Sequence, residues 1–120
     1  MESRELFGII GSLERVSEHM KWWNAEFVSK GLDAVMSRYQ TEENALPERL
    51  SEMFHFDRRG YIVGFKLQEA IIPLLDNVDA SAVEEGRVDT IVNTGGVMTG
   101  YFCNENREKQ WELWFQAHIH

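Results

Sequence analysis

Asp57 stands in the run Phe54-His55-Phe56-Asp57-Arg58-Arg59-Gly60. A carboxylate flanked by aromatic rings is desolvated in its charged form, which raises its pKa toward that of a useful general base. Asp is also favoured at the first position of a tight turn, where it caps backbone N–H groups, and Arg58 and Arg59 beside it would hold it ionised and solvated. Turn chemistry alone explains the residue. His118 and His120 are two apart in Trp114-Phe115-Gln116-Ala117-His118-Ile119-His120, so on a strand they share a face with each other and with Gln116, Trp114 and Glu112. Two imidazoles at that spacing could hold a metal, yet no third ligand is placed, so no metal is expected. A neutral His beside a Glu could serve as a base, and an alternating polar row is equally the solvent face of a half-buried sheet.

Four further residues, Trp23, Tyr39, Met98 and Trp114, could line a ligand cavity with broad apolar contact and two polar tips. An aromatic core accounts for them as well. Trp22, about 100° around a helix from Trp23, would instead be free to meet a partner subunit. Other chemistries find no support: there is no Gly-x-Ser-x-Gly elbow, phosphate loop or dinucleotide fingerprint. Asn93-Thr94-Gly95-Gly96 reads as a hairpin or bulge, since no helical pattern follows it to offer an N-terminus to an anion. Cys103 has no neighbouring basic cluster to stabilise a thiolate and reads as core. No cofactor is implied.

The elements that must position these residues come from a chain of 120 residues with 12 Lys and Arg against 20 Asp and Glu, a net charge of −8 that argues against a nucleic-acid partner. At 43% hydrophobic residues there is material for one core, while no apolar run approaches the ~20 residues of a membrane span. Cys103 is the only cysteine, so no intrachain disulfide is possible. The N-terminal residues show no basic and apolar leader, and a cytoplasmic setting is expected.

Leu6, Ile9, Ile10, Leu13, Val16, Met20, Trp23 and Phe27 keep one stripe on a long helix that Gly31 ends. Leu32, Val35, Met36 and Tyr39 repeat the spacing as a short second helix. Residues 40–52 read as a loop or a marginal helix around Pro47. Met53 to Phe56 and Tyr61 to Phe65 read as a hairpin, and Leu67 to Val78 as a third helix bent at Pro73. Strands follow at 86–92, 95–103 and 110–120, with Asn104 to Glu108 a polar turn.

The run Trp22-Trp23-Asn24-Ala25 followed by residues 30–39, together with Phe56-Asp57-Arg58-Arg59-Gly60-Tyr61-Ile62-Val63-Gly64-Phe65-Lys66-Leu67-Gln68-Glu69-Ala70-Ile71, resembles the nuclear transport factor 2-like superfamily. That superfamily includes SnoaL-like cyclases and ketosteroid isomerases. The resemblance implies a single α+β cone over residues 1–120, three helices packed on a strongly curved antiparallel sheet. It implies an isomerase, cyclase or dehydratase moving a proton on a small apolar substrate. It also places Asp57 where the ketosteroid isomerase branch carries its carboxylate base, and directs His118 and Gln116 into the cone. The alternative on the same scaffold is a non-catalytic dimeric module that binds a small hydrophobic ligand or another protein. A homodimer is expected through an apolar outer sheet face. Which face of residues 110–120 points inward decides whether Trp114, Gln116 and His118 line a pocket or Trp111, Leu113 and Phe115 fill a core.

Overall fold

The computed structural model describes residues 5–11, 15–55 and 59–115. Over these residues the elements run β1 (Glu5–Ile10), α1 (Val16–Ser29), β2 (Ala34–Tyr39), α2 (Leu46–His55), β3 (Gly60–Val63), β4 (Asn77–Val78), α3 (Ala80–Glu85), β5 (Thr90–Thr94), β6 (Val97–Tyr101) and α4 (Arg107–Phe115). Short 3-10 turns occupy Glu43–Ala45, Phe65–Leu67 and Ile72–Leu74. The strands form one six-stranded sheet in the order β2-β1-β3-β5-β6-β4. β1 pairs in parallel with both β2 and β3, β5 is antiparallel to β3 and to β6, and β4 is parallel to β6.

A mixed sheet with three adjacent parallel strands is not a cone of curved antiparallel strands, and the α+β cone is overturned. Parallel neighbours need crossovers, and α1 and α2 supply them from the start of the chain. The helices cover both faces of the sheet. Phe7, Ile9, Ile62 and Val92 point to one face and meet Trp23 and Phe27 of α1 and Trp114 of α4. Ile10, Tyr61, Val63 and Ile91 point to the other and meet Leu46 and Leu50 of α2 and Ala82 of α3. The result is three layers, helix on sheet on helix.

The differences from the sequence reading have local causes. Leu6, Ile9 and Ile10 fit helical spacing, but residues 7–10 are all buried because β1 lies between β2 and β3 under helices on both faces. A continuous apolar run is what such a strand requires. Residues 34–39 form the edge strand β2 rather than a second helix. There Asn24 of α1 serves the backbone of Met36: its Oδ1 accepts from the Met36 N–H at 2.8 Å and its Nδ2 donates to the Met36 carbonyl at 3.3 Å. The first arm of the expected hairpin at 53–56 instead continues α2 through His55, and the expected third helix is broken into 3-10 turns, with Pro73 in the second, followed by β4.

The strand expected over 110–120 is helical through Phe115, since Trp111, Trp114 and Phe115 also satisfy a spacing of three and four. Trp114 lies directly over Gly60, where any Cβ would overlap its indole ring, and its Nε1 donates to the Ile91 carbonyl at 3.1 Å. Two expectations match: Gly31, at φ +69°, follows the end of α1, and Gly95-Gly96 turns β5 into β6. No described helix is long and apolar enough to cross a membrane.

Candidate functional site at the carboxyl ends of the strands

From β1 the chain passes through α1 to β2 on one side, then through α2 to β3 on the other side of β1. Where neighbouring strands send their connections to opposite sides, the loops leaving them diverge and leave a crevice at the carboxyl ends. Here that place lies between the loop after β1, beginning at Gly11, and the turn after β3, from Gly64 to Gln68. Gly64 N–H still donates to the Ile10 carbonyl at 2.8 Å, so the two strands are paired up to the rim. Gly11 has φ +86°, a backbone shape that favours glycine, and a Cβ there would sit 2.8 Å from Leu67 Cδ1 and oblige that side chain to shift. A cavity of about 420 Å³ opens at this edge, lined by Gln40, Thr41, Glu42, Glu43, Lys66 and Leu67.

Two buried polar side chains sit beside this edge. Gln68, 5% exposed, donates from Nε2 to the Val63 carbonyl at 3.0 Å, while its Oε1 is buried without a partner among the described residues. Asp89 is 2% exposed and fully engaged. Its Oδ1 accepts from Cys103 N–H at 2.7 Å and Thr90 Oγ1 at 3.0 Å, and its Oδ2 accepts from Glu105 N–H at 3.0 Å. Gln110 Nε2 in turn donates to Thr90 Oγ1 at 2.9 Å. This network holds the loop after β6, in which Asn104 and Glu105 both adopt positive φ. Burial, above all, pushes the Cys103 thiol up to about 11, so it is a neutral core group and not a nucleophile.

The residues singled out from sequence do not assemble into one cavity. Trp23 and Trp114 do come together, ring centroids 4.9 Å apart, but as fully buried members of the aromatic layer under α1 and α4. Met98 is buried on the opposite face of the sheet, with Tyr39 packed against the same cluster. Asp57, Gln116 and His118 lie outside the described residues. No group of three metal-ligating side chains occurs among the described residues. Trp22 borders a groove of about 560 Å³ between α1 and α4, where the Arg107 guanidinium lies 4.3 Å from its ring centroid. Gln68 went unnoticed because residues 67–78 read as a helix, and Lys66 because it falls between that helix and the expected hairpin arm ending at Phe65. The signal available for them was a glycine directly after an apolar strand, present at both Gly11 and Gly64.

No family model matches the chain. It is 34% identical over 96 residues to the shikimate dehydrogenase (NADP(+)) of Alkaliphilus metalliredigens, covering 80% of this chain and 34% of that protein. It is 31% identical over 99 residues to the enzyme of the same name from Halothermothrix orenii, covering 82% and 34%. Among solved structures, shikimate 5-dehydrogenase from Listeria monocytogenes, in complex with shikimate and NAD, superposes with a TM-score of 0.77 at 30% identity, covering 82% of this chain and 34% of that one. The chain thus spans about a third of the length of the curated relatives it matches. These findings overturn the resemblance to the nuclear transport factor 2-like superfamily and set aside the readings built on it, both the isomerase or cyclase and the stand-alone binding or interaction module. The likeness in both sequence and fold is to shikimate dehydrogenases.

Proposed function

We propose that this chain is the substrate-holding unit of a shikimate dehydrogenase-like oxidoreductase, with the crevice at the carboxyl ends of β1 and β3 as its substrate site. Shikimate is a ring carboxylic acid bearing three hydroxyl groups, so a site for it must offer hydrogen-bond acceptors as well as apolar walls. The observation that carries this reading is the buried Oε1 of Gln68. An unpaired buried acceptor costs about 1–3 kcal/mol, and a ligand hydroxyl donating to it would remove that cost. The second amide arm, tied to the Val63 carbonyl, fixes the orientation of the group.

The relatives are named for NADP(+), and the described residues do not fit a dinucleotide. The only adjacent glycine pair among them, Gly95-Gly96, closes a β-hairpin instead of opening a helix. Near the end of β1, Gly8 lies inside the strand and only Gly11 follows it, so the glycine spacing of a dinucleotide turn is lacking. Recognition of the ring is therefore the role assigned to these residues, and no hydride step is derived through them.

Calorimetric titration with shikimate is the test. Wild type should bind it, and Gln68→Leu should weaken binding by about tenfold, the worth of one buried hydrogen bond. A cyclohexene carboxylate lacking the hydroxyls should bind both proteins equally. Absence of shikimate binding at millimolar concentration, or full affinity in Gln68→Leu, would refute the assignment.

A further inference from the structure

The Gln68 side chain closes a ring of hydrogen bonds. Its Nε2 donates to the Val63 carbonyl at 3.0 Å, the Val63 N–H donates to the Asp89 carbonyl at 2.9 Å, and one peptide unit back the Val88 N–H donates to the Gln68 main-chain carbonyl at 2.9 Å. Main chain and side chain of Gln68 are thus both oriented from the segment Val88-Asp89. That segment lies between α3 and β5 and belongs to neither. It is fixed chiefly through Asp89, whose N–H donates to the Tyr101 carbonyl at 3.1 Å and whose buried carboxylate accepts from Cys103 N–H, Glu105 N–H and the Thr90 hydroxyl. Hydrogen bonds to a carboxylate are shorter and stronger than neutral ones. Val88 is the competing anchor, fully buried against Gly100 of β6, where a Cβ would come within 2.8 Å of Val88 Cγ2. Apolar packing sets depth but has no direction. An acceptor aimed at a ligand hydroxyl depends on direction, because a hydrogen bond weakens steeply as it bends.

Resting on the assignment of Gln68 to the substrate site, we propose that Asp89 is the positioning residue of that site. Its carboxylate fixes the 88–89 segment, and the segment aims the buried Oε1 of Gln68 at the hydroxyl it selects. Asp89 acts through Gln68 and meets no ligand itself.

Two readouts test this on wild type, Gln68→Leu, Asp89→Asn and the double variant. In calorimetric titration with shikimate, Gln68→Leu should cost about tenfold in the wild-type background but no more than about threefold beside Asp89→Asn, while the cyclohexene carboxylate lacking the hydroxyls binds all four proteins alike. A residue that only stabilised the fold would leave the tenfold effect intact. Without any ligand, the side-chain amide of Gln68, identified in a nitrogen-15 spectrum by its loss in Gln68→Leu, should exchange slowly with solvent in wild type. In Asp89→Asn it should exchange faster and move toward the position of a free glutamine. Circular dichroism checks the fold, and should Asp89→Asn fail to fold, the milder Thr90→Val, which removes one of the three donors to the carboxylate, carries the same comparison. A full tenfold effect of Gln68→Leu beside the folded variant, or an unmoved Gln68 amide signal, overturns the role of Asp89 and leaves Val88 as the anchor. Absence of shikimate binding by wild type overturns the substrate site alone, and the amide signal then decides the role of Asp89 by itself.

Discussion

Asp89 shows how a single buried carboxylate can determine the shape of a loop. Three donors converge on it, two of them the backbone N–H groups of Cys103 and Glu105, which flank Asn104 in its left-handed conformation. Asp89→Ala would leave those N–H groups without their acceptor and the loop without its anchor. Each orphaned group costs about 1–3 kcal/mol when buried, so a loss of about 2–4 kcal/mol is expected in urea unfolding. The protection of the Cys103 and Glu105 amides against hydrogen exchange should fall first. A stability change below about 0.5 kcal/mol would contradict this role. None of this is legible from the sequence, where Asp89 sits unremarked inside an expected strand over 86–92, because a carboxylate satisfied by distant backbone leaves no local pattern. Gln68 is hidden for a different reason, since residues 67–78 carry helical spacing and read as a helix. Trp23 and Trp114 are visible as large aromatics, but the competing readings, core or cavity wall, differ only in what packs against them.

Among the elements, the ones read correctly are those with unambiguous local chemistry. Of the long helix expected from Leu6 to Phe27, the part from Val16 onward is α1, with Gly31 just past its end; Gly95-Gly96 specifies the β5–β6 turn. The short apolar segments 6–10 and 32–39 fit helix and strand spacing alike, and only their placement in the sheet decides between them. Missing those two strands removes the parallel core, and with it the crevice. The six-residue helix α3 illustrates how much a cap contributes to a short element. Asp79, at its N-cap, accepts from Ser81 N–H at 3.0 Å, and these hydrogen bonds from Ser81 hold its carboxyl below the ordinary value of 3.8. A depressed folded-state pKa means the cap contributes above the unfolded value and is lost as pH falls through the folded one. Asp79→Ala should therefore destabilise the protein by about 1 kcal/mol at neutral pH, with the difference from wild type shrinking as the pH falls below 3.8. Asp79→Asn, which caps without titrating, should remove most of that pH dependence. Paired urea titrations at several pH values would check both.

For the molecule as a whole, the sheet ends on one side at β2, six residues long and paired only with β1. An open strand edge is a template on which another chain can add itself, and proteins that remain dispersed must close it. Asn24 supplies the closure: one amide side chain occupies both the N–H and the carbonyl of Met36, as the backbone of an incoming strand would. Asn24→Ala would leave those two groups unpaired on an edge that also carries Val35. Light scattering at tens of micromolar should then show growing assemblies where wild type keeps a constant mass, and a charge placed on the rim, Ser37→Lys, should restore it. No growth in the alanine variant would mean the edge is guarded elsewhere. Asn24 thus occupies the two backbone groups that templated polymerisation would recruit, a hazard that arises from concentration alone and that catalytic assays would not register.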